Sequence, residues 1–352
     1  MADSADILHF ISLTEQINKV KSPNSLLKNR IFGDHRSMPT ENFEVGVKLG
    51  EREIAPFIRK GGQAVMVSGY NTKSMMVSPA NISLKRPFSP EVMFLRRPGF
   101  ENIYASQAEI QAIGNQALAD DVQRMGDMIA NAEEYLCAQA LTGVVAYQAA
   151  DAENFEVDFQ RDGSLDVSPV DTWDDQTNSD VFVDLAGVKR LINDFEGLPV
   201  TEAFMGRDAA AALVANTKVR DALALSQTKF NVGAGLSLVE QYQADGALFL
   251  GELAGIRLWE YGRKVVLPTG SSVDLIDSKT VHFVANVPAA EFRLMYGAIA
   301  EIVGQQPRMF VGERFSKSWT EEDPPQVFQA AKSRPMPVLR KPNATASMVV
   351  LT

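Results

Sequence analysis

The sequence predicts an α+β protein in which one long helix and a mixed helix–strand unit are joined by short strands. Three observations carry that expectation. Residues 106–141 place apolar side chains at helical spacings over about ten turns. Residues 180–306 alternate helical and strand patterns. On both sides, short β-prone runs sit between turn signals, and the chain ends on MVVLT. At 352 residues, 45% hydrophobic and 22% charged, the chain is long enough for two or three core-forming units.

The opening stretch MADSADILHFISLTEQINKV has no basic region followed by a long apolar run. No window approaches the ~18–20 apolar residues that a membrane helix needs, so neither a secretory signal nor a span is expected. Ile7, Leu8, Ile11, Leu13 and Ile17 suit a short amphipathic segment, and PNSLLKNRIFGDHRSMPTENF reads as an extended strap. In residues 54–99, Gly-Gly and Ser-Gly separate runs such as AVMV and SMMV, the pattern of a long two-stranded excursion. Such a hairpin is marginal alone in water and is expected to lie on something else.

Ser106 with Glu109 forms a capping box ahead of the long helix, whose stripe runs through Ile110, Ile113, Ala117, Met125, Met128, Ile129, Ala132 and Leu136. The stripe is not a strict heptad, so the helix is read as lying along a sheet or another subunit. ENFEVDFQ alternates as a strand, and SLDVSPVDTWDDQTNSD reads as an irregular acidic loop. A helix is expected from near Asp180 to a stop at Gly197, a second in GRDAAAALVANTKVRDALAL, and strands in GALFLGELAGIRLWEYG and TVHFVANVPAAEFRLMYGAIAEIV.

The residues offer no catalytic constellation. The sequence lacks a G-x-S-x-G elbow, a Walker loop, H-E-x-x-H and paired C-x-x-C. NVGAGLSLVE lacks the third glycine of a dinucleotide loop, and DTWDDQTNSD fails the calcium-loop pattern at Gln176 and Ser179. One cysteine, Cys137, and three histidines, His9, His35 and His282, are too few for a disulfide or a closed zinc site, and His282 reads as a strand histidine with a satisfied partner. Cofactors: none is expected, and no enzymatic activity.

Charge is unevenly distributed. The total is −10, which argues against a protein that coats DNA through clustered Lys and Arg. Residues 56–100 hold seven bases (Arg59, Lys60, Lys73, Lys85, Arg86, Arg96, Arg97) against Glu91, or +6. Residues 151–200 sum to −10 and residues 106–141 to −5.

The basic segment ending FLRRPG, the long acidic helix, the Trp173 loop, the LWEYG and LMYGAI stretches, and RFSKSW with Asp323-Pro324 before a terminal β run follow one another in an order that resembles lambda-type tailed-phage major capsid (head) proteins. The resemblance covers nearly the whole chain and implies the Hong Kong 97-type capsid fold. Its parts would be an N-terminal arm (1–48), an extended E-loop (49–100), a peripheral domain with a long spine helix (101–178), an axial domain (179–306) and a C-terminal return to the peripheral domain (307–352). It further implies a structural protein that self-assembles as hexamers and pentamers into an icosahedral shell around double-stranded DNA. A separate scaffolding protein and a portal protein are then expected, a decoration protein is open, and the location is the virion, with assembly in host cytoplasm and no membrane. An encapsulin-like compartment and an α/β enzyme with an unrecognised site remain as alternatives.

From the resemblance, residues 1 to about 45 are expected to be ordered only by neighbouring subunits, and 309–352 to complete the peripheral sheet. The candidate contacts between subunits are Arg59, Lys60, Lys73, Lys85 and Arg86 from the basic segment, and Arg314, Lys317, Trp319, Glu321, Glu322 and Asp323 from the tail. The basic segment is expected to meet the acidic helix of a neighbour. A lysine–asparagine cross-link would nominate Lys60 or Lys73 with Asn343, but lambda-type shells do not rely on that chemistry.

Overall fold

The computed structural model describes residues 10–19, 25–48, 72–88, 107–147, 155–228, 237–242, 246–303, 306–321 and 326–352. The long helix runs over Gln107–Ala140; Ser106 of the expected capping box lies outside the described residues. Val122, Met125, Ile129, Leu136, Cys137 and Ala140 form its buried stripe. That stripe packs on the strands Gln326–Ser333 and Pro335–Leu339 and on two short N-terminal helices, Phe10–Lys19 and Leu26–Arg30. The helix lies along sheets of its own chain, one of the two placements its pattern allowed.

A seven-stranded sheet organises the other half. Its order is Asp166–Val167, Thr345–Val349, Thr280–Ala285, Val200–Met205, Ile256–Glu260, Leu248–Leu253, Ser237–Tyr242. Every residue of Thr280–Ala285 is buried, which explains a continuous apolar run where a half-exposed strand would alternate. Helix Val181–Glu196 packs against this sheet; Asp180 caps it by accepting the Val183 N–H, and Gly197 ends it with φ +71°, as the sequence predicts. The second expected helix is two, Arg207–Ala215 and Thr217–Thr228. Asn216 breaks it: its Oδ1 accepts the N–H groups of Lys218 and Val219 at 3.0 and 3.3 Å, an N-cap inside what reads as one amphipathic run.

Two three-stranded sheets lie under the long helix, in the orders Phe315–Glu321, Gln326–Ser333, Ile82–Phe88 and Asp34–Ser37, Phe292–Tyr296, Pro335–Leu339. The predicted self-paired excursion is corrected here. Thr72–Val77 pairs with Phe43–Lys48, and Ile82–Phe88 pairs with Gln326–Ser333. Each strand thereby gains a partner already backed by core and buries Val77 or packs Leu84, which a free hairpin cannot do. AVMV and the rest of 49–71 lie outside the described residues.

Two further expectations change. Residues 10–48 are fixed by their own chain where they are described. Leu13 and Ile17 bury against Val122, Met125 and Ile129, and Thr14 Oγ1 donates to Ser316 O at 2.9 Å while accepting the Ser316 N–H at 3.1 Å. The tail also divides: 315–339 enters the sheets beneath the long helix, but Thr345–Val349 pairs with Thr280–Ala285 in the seven-stranded sheet. Its TASMV sequence is buried through Met348, and Trp173 donates its backbone N–H to Val350 O at 2.8 Å, so the chain end closes that sheet.

Candidate assembly surfaces

Four segments meet at a buried charge cluster. Glu133, fully buried on the long helix, accepts from Lys28 Nζ at 2.7 Å and Arg314 Nη2 at 2.9 Å. Glu134, beside it, accepts the N–H groups of Leu27 and Lys28 at 2.8 and 3.0 Å and the Tyr261 hydroxyl at 2.9 Å. Burial raises the Glu134 carboxyl above its ordinary range against the pull of these donors. Burial works against the Arg314 charge too, yet the adjacent Glu133 raises its pKa further, so it remains a cation. Arg314 is thus an interior residue of the protomer and not a surface contact, because its guanidinium neutralises a carboxylate that water cannot reach.

The other tail and E-loop candidates gather on one sheet face. Trp319, Phe328 and Pro87 lie side by side across the three strands. Trp319, 36% exposed, stacks on Phe328 with centroids 5.5 Å apart. Lys85 Nζ stands 3.8 Å from the Phe328 centroid and 5.1 Å from that of Trp319, and Lys317 Nζ is also 5.1 Å from the Trp319 centroid. Lys317 also pairs with Glu301 at 2.9 Å, and Lys332 pairs with the same carboxylate. Burial opposes the Glu301 charge, but these two lysines hold its carboxyl below the usual range. Glu321 is exposed at the strand end.

The basic E-loop residues that are described bind their own chain. Arg86 pairs with Asp121 of the long helix at 2.9 Å, and Lys73 donates to Gln160 Oε1 at 2.8 Å. The expected attraction between basic segment and acidic helix therefore exists within the protomer. Arg59, Lys60, Glu322 and Asp323 lie outside the described residues. Asn343 is 7% exposed and accepts the Asp162 N–H at 2.9 Å, a structural role.

Sequence reading missed an apolar surface exposed among the described residues. In the hairpin Ile299–Val303/Gln306–Phe310, Ala300 faces Met309 and Ile302 faces Pro307 across the strands. All four are exposed, and Val311 extends the patch. Ile302, Met309 and Val311 are each more than half exposed, an apolar grouping of the kind found at interaction surfaces. The opposite face holds Ile299 and Glu301 against the sheet, so apolar residues occupy both faces and the period-2 signal is blurred. Between strand Ile82–Phe88 and the long helix there is an open groove of 370 Å³ lined by Leu84, Lys85, Arg86, Arg124, Met125 and Met128.

Among the described residues no helix is long and apolar enough to cross a membrane. No curated protein matches the sequence. The fold is similar to that of a protein assigned as the capsid protein of an Escherichia coli CFT073 prophage, with TM-score 0.69, 16% identity, and 97% of this chain and 99% of that one covered. It also resembles a phage-related protein of Bordetella bronchiseptica RB50, with TM-score 0.51, 13% identity, and 96% and 95% covered. These likenesses show the Hong Kong 97-type capsid fold that the order of segments implied. The sequence model of phage major capsid protein E matches residues 10–350, nearly the full length described above, and the chain belongs to that family of tailed-phage head proteins.

Proposed function

We propose that this chain is the building block of a phage head: it associates as hexamers and pentamers into an icosahedral shell that encloses double-stranded DNA. The observation that carries the reading beyond the family is the hairpin face of Ala300, Ile302, Pro307 and Met309, exposed on a protomer whose described N-terminal helices and C-terminal strands pack inward. A monomer has no use for such a face, and a repeated contact between copies covers it. The family points to a structural role, so the work is association and rearrangement without turnover. A net charge of −10 suits a wall that must not grip the DNA it surrounds. The arm, E-loop, peripheral and axial divisions belong to this reading, as do a separate scaffolding protein, a portal, assembly in host cytoplasm and residence in the virion.

Electron microscopy of the expressed protein, alone and co-expressed with a scaffolding protein of its phage, tests the proposal. Closed icosahedral particles able to take up DNA are expected. Particles that hold a cargo enzyme and no DNA would make it a compartment shell. A stable monomer under all conditions would overturn the reading.

A further inference from the structure

The groove between strand Ile82–Phe88 and the long helix has an unsatisfied character. Arg124 has no hydrogen-bond or ion-pair partner among the described residues and is exposed, and Met128 beside it is 50% exposed. Lys85 sends its ammonium over the Phe328 and Trp319 rings on the other face of the strand. Arg86 already answers Asp121, which leaves Arg124 as a cation without a partner among the described residues, beside an apolar floor of Leu84 and Met125. The strand alongside is the edge of its sheet among the described residues, and Pro87 removes a backbone donor there. Another strand is therefore discouraged from adding to that edge, and side chains must do the recognising.

A matching convex feature exists elsewhere on the chain. Residues 171–184 carry Asp171, Asp174, Asp175, Asp180 and Asp184 with no Lys or Arg. Most of these have tasks at home: Asp174 accepts from Thr352, Asp175 from Thr177 and Asn178, Asp180 pairs with Lys218, and Asp184 accepts the Trp173 indole N–H. Asp171 is exposed with no partner among the described residues, and Val170 next to it is 98% exposed. The buried Trp173 and its bond to Asp184 anchor the loop behind that tip. An apolar tip beside a free carboxylate is the chemistry that the groove's Met128 and Arg124 lack.

We propose that the groove lined by Leu84, Lys85, Arg124, Met125 and Met128 receives the Val170–Asp171 loop of a second copy of this chain, with Val170 against the methionines and Asp171 beside Arg124. The contact joins different surfaces of the two copies, so it repeats from copy to copy and builds a ring when the rotation closes. The inference rests on the shell reading. The opposed charges steer register and rate more than they add affinity.

Two experiments test it. Met128→Cys subunits are mixed in equal amounts with Val170→Cys subunits, assembled and mildly oxidised; native Cys137 is fully buried and does not compete. Dimer-sized bands in non-reducing gels are expected from the mixture and from neither variant alone. Separately, Arg124→Glu and Asp171→Lys should each slow assembly about tenfold at low salt, and combining them should restore it to within about twofold. If wild-type particles form while the mixture stays monomeric on gels and the combined variant shows no rescue, this contact is wrong and the shell reading stands. If the wild type forms no particles under any condition, both fall.

Discussion

Replacing Glu133 with Gln tests whether the buried cluster holds the protomer together. Lys28 Nζ and Arg314 Nη2 approach its carboxylate at 2.7 and 2.9 Å, and the side chains of all three residues are at most 6% exposed. At an effective dielectric near 20, two such contacts are worth roughly 4 kcal/mol each in gross Coulomb energy. Gln keeps one acceptor oxygen and relieves the desolvation of a carboxylate, but it leaves two buried cations without a counter-ion and turns an NH2 group towards a donor. The net loss expected for breaking such a pair is about 3–5 kcal/mol. With a urea slope of about 3 kcal/mol per molar, the unfolding midpoint of the unassembled subunit should fall by roughly 1–1.7 M. The fluorescence of fully buried Trp173 reports the transition. Lys264→Ala, which breaks an exposed pair with Asp274 at 3.8 Å, is the control and should cost no more than about 1 kcal/mol. A Glu133→Gln midpoint indistinguishable from the control would refute the argument that this carboxylate neutralises both cations.

Other expected outcomes follow from single sites. Burial first, and then the nearby Arg161, depress the His282 pKa to about 4. The unfolded chain therefore takes up its proton first, and stability present above pH ~6.5 is lost as pH falls towards 4, about 3 kcal/mol in all; His282→Asn should flatten that part of the stability–pH curve. A β-carbon at Gly206 would lie 2.1 Å from Asp277 O and 2.4 Å from Ser278 Cα, so Gly206→Ala should cost about 3 kcal/mol in chemical denaturation although the backbone there suits alanine. Ile302→Asp with Met309→Asp should leave the subunit's melting curve within about 1 kcal/mol of wild type, since both side chains are exposed, while particle yield by light scattering collapses; normal yields would remove the hairpin from the assembly surface.

What the sequence disclosed depended on how local each determinant is. The helix from Asp180 to Gly197 was legible because a cap, an apolar stripe and a left-handed glycine lie within one stretch. The long helix was legible from its apolar periodicity, since Ser106 of its expected capping box lies outside the described residues. The break at Asn216 was not, because a mid-run Asn signals a cap only once the chain has turned there. Strand partners were least legible. TKSMMV pairs with residues 43–48 and ISLKRPF with residues 326–333, and no local pattern specifies which distant strand completes a sheet. Among the candidate contacts, Trp319 and Lys85 do share an exposed face, but Arg314, five residues before Trp319, is interior. The strand pleat sends neighbours to opposite sides, and only the position of Glu133 decides which side holds the counter-charge.

The destination of the charges has a consequence for assembly. A +6 segment and a −5 helix invite the expectation that opposite charges meet between subunits. Arg86 instead answers Asp121 within the chain, and Lys317 and Lys332 answer Glu301. Charges matched at home are not free to set the register of a neighbour, and a reversal at Arg86 would place like charges together inside the folded subunit. The steering that remains belongs to groups without such partners, among them Arg124 and Asp171. Salt dependence separates these roles: screening acts over about 10 Å at 0.1 M and weakens exposed pairs far more than half-buried ones. Assembly rate should therefore fall with salt while the unassembled subunit's stability changes little. If the two fall together, the intramolecular pairs dominate and the exposed charges contribute no steering.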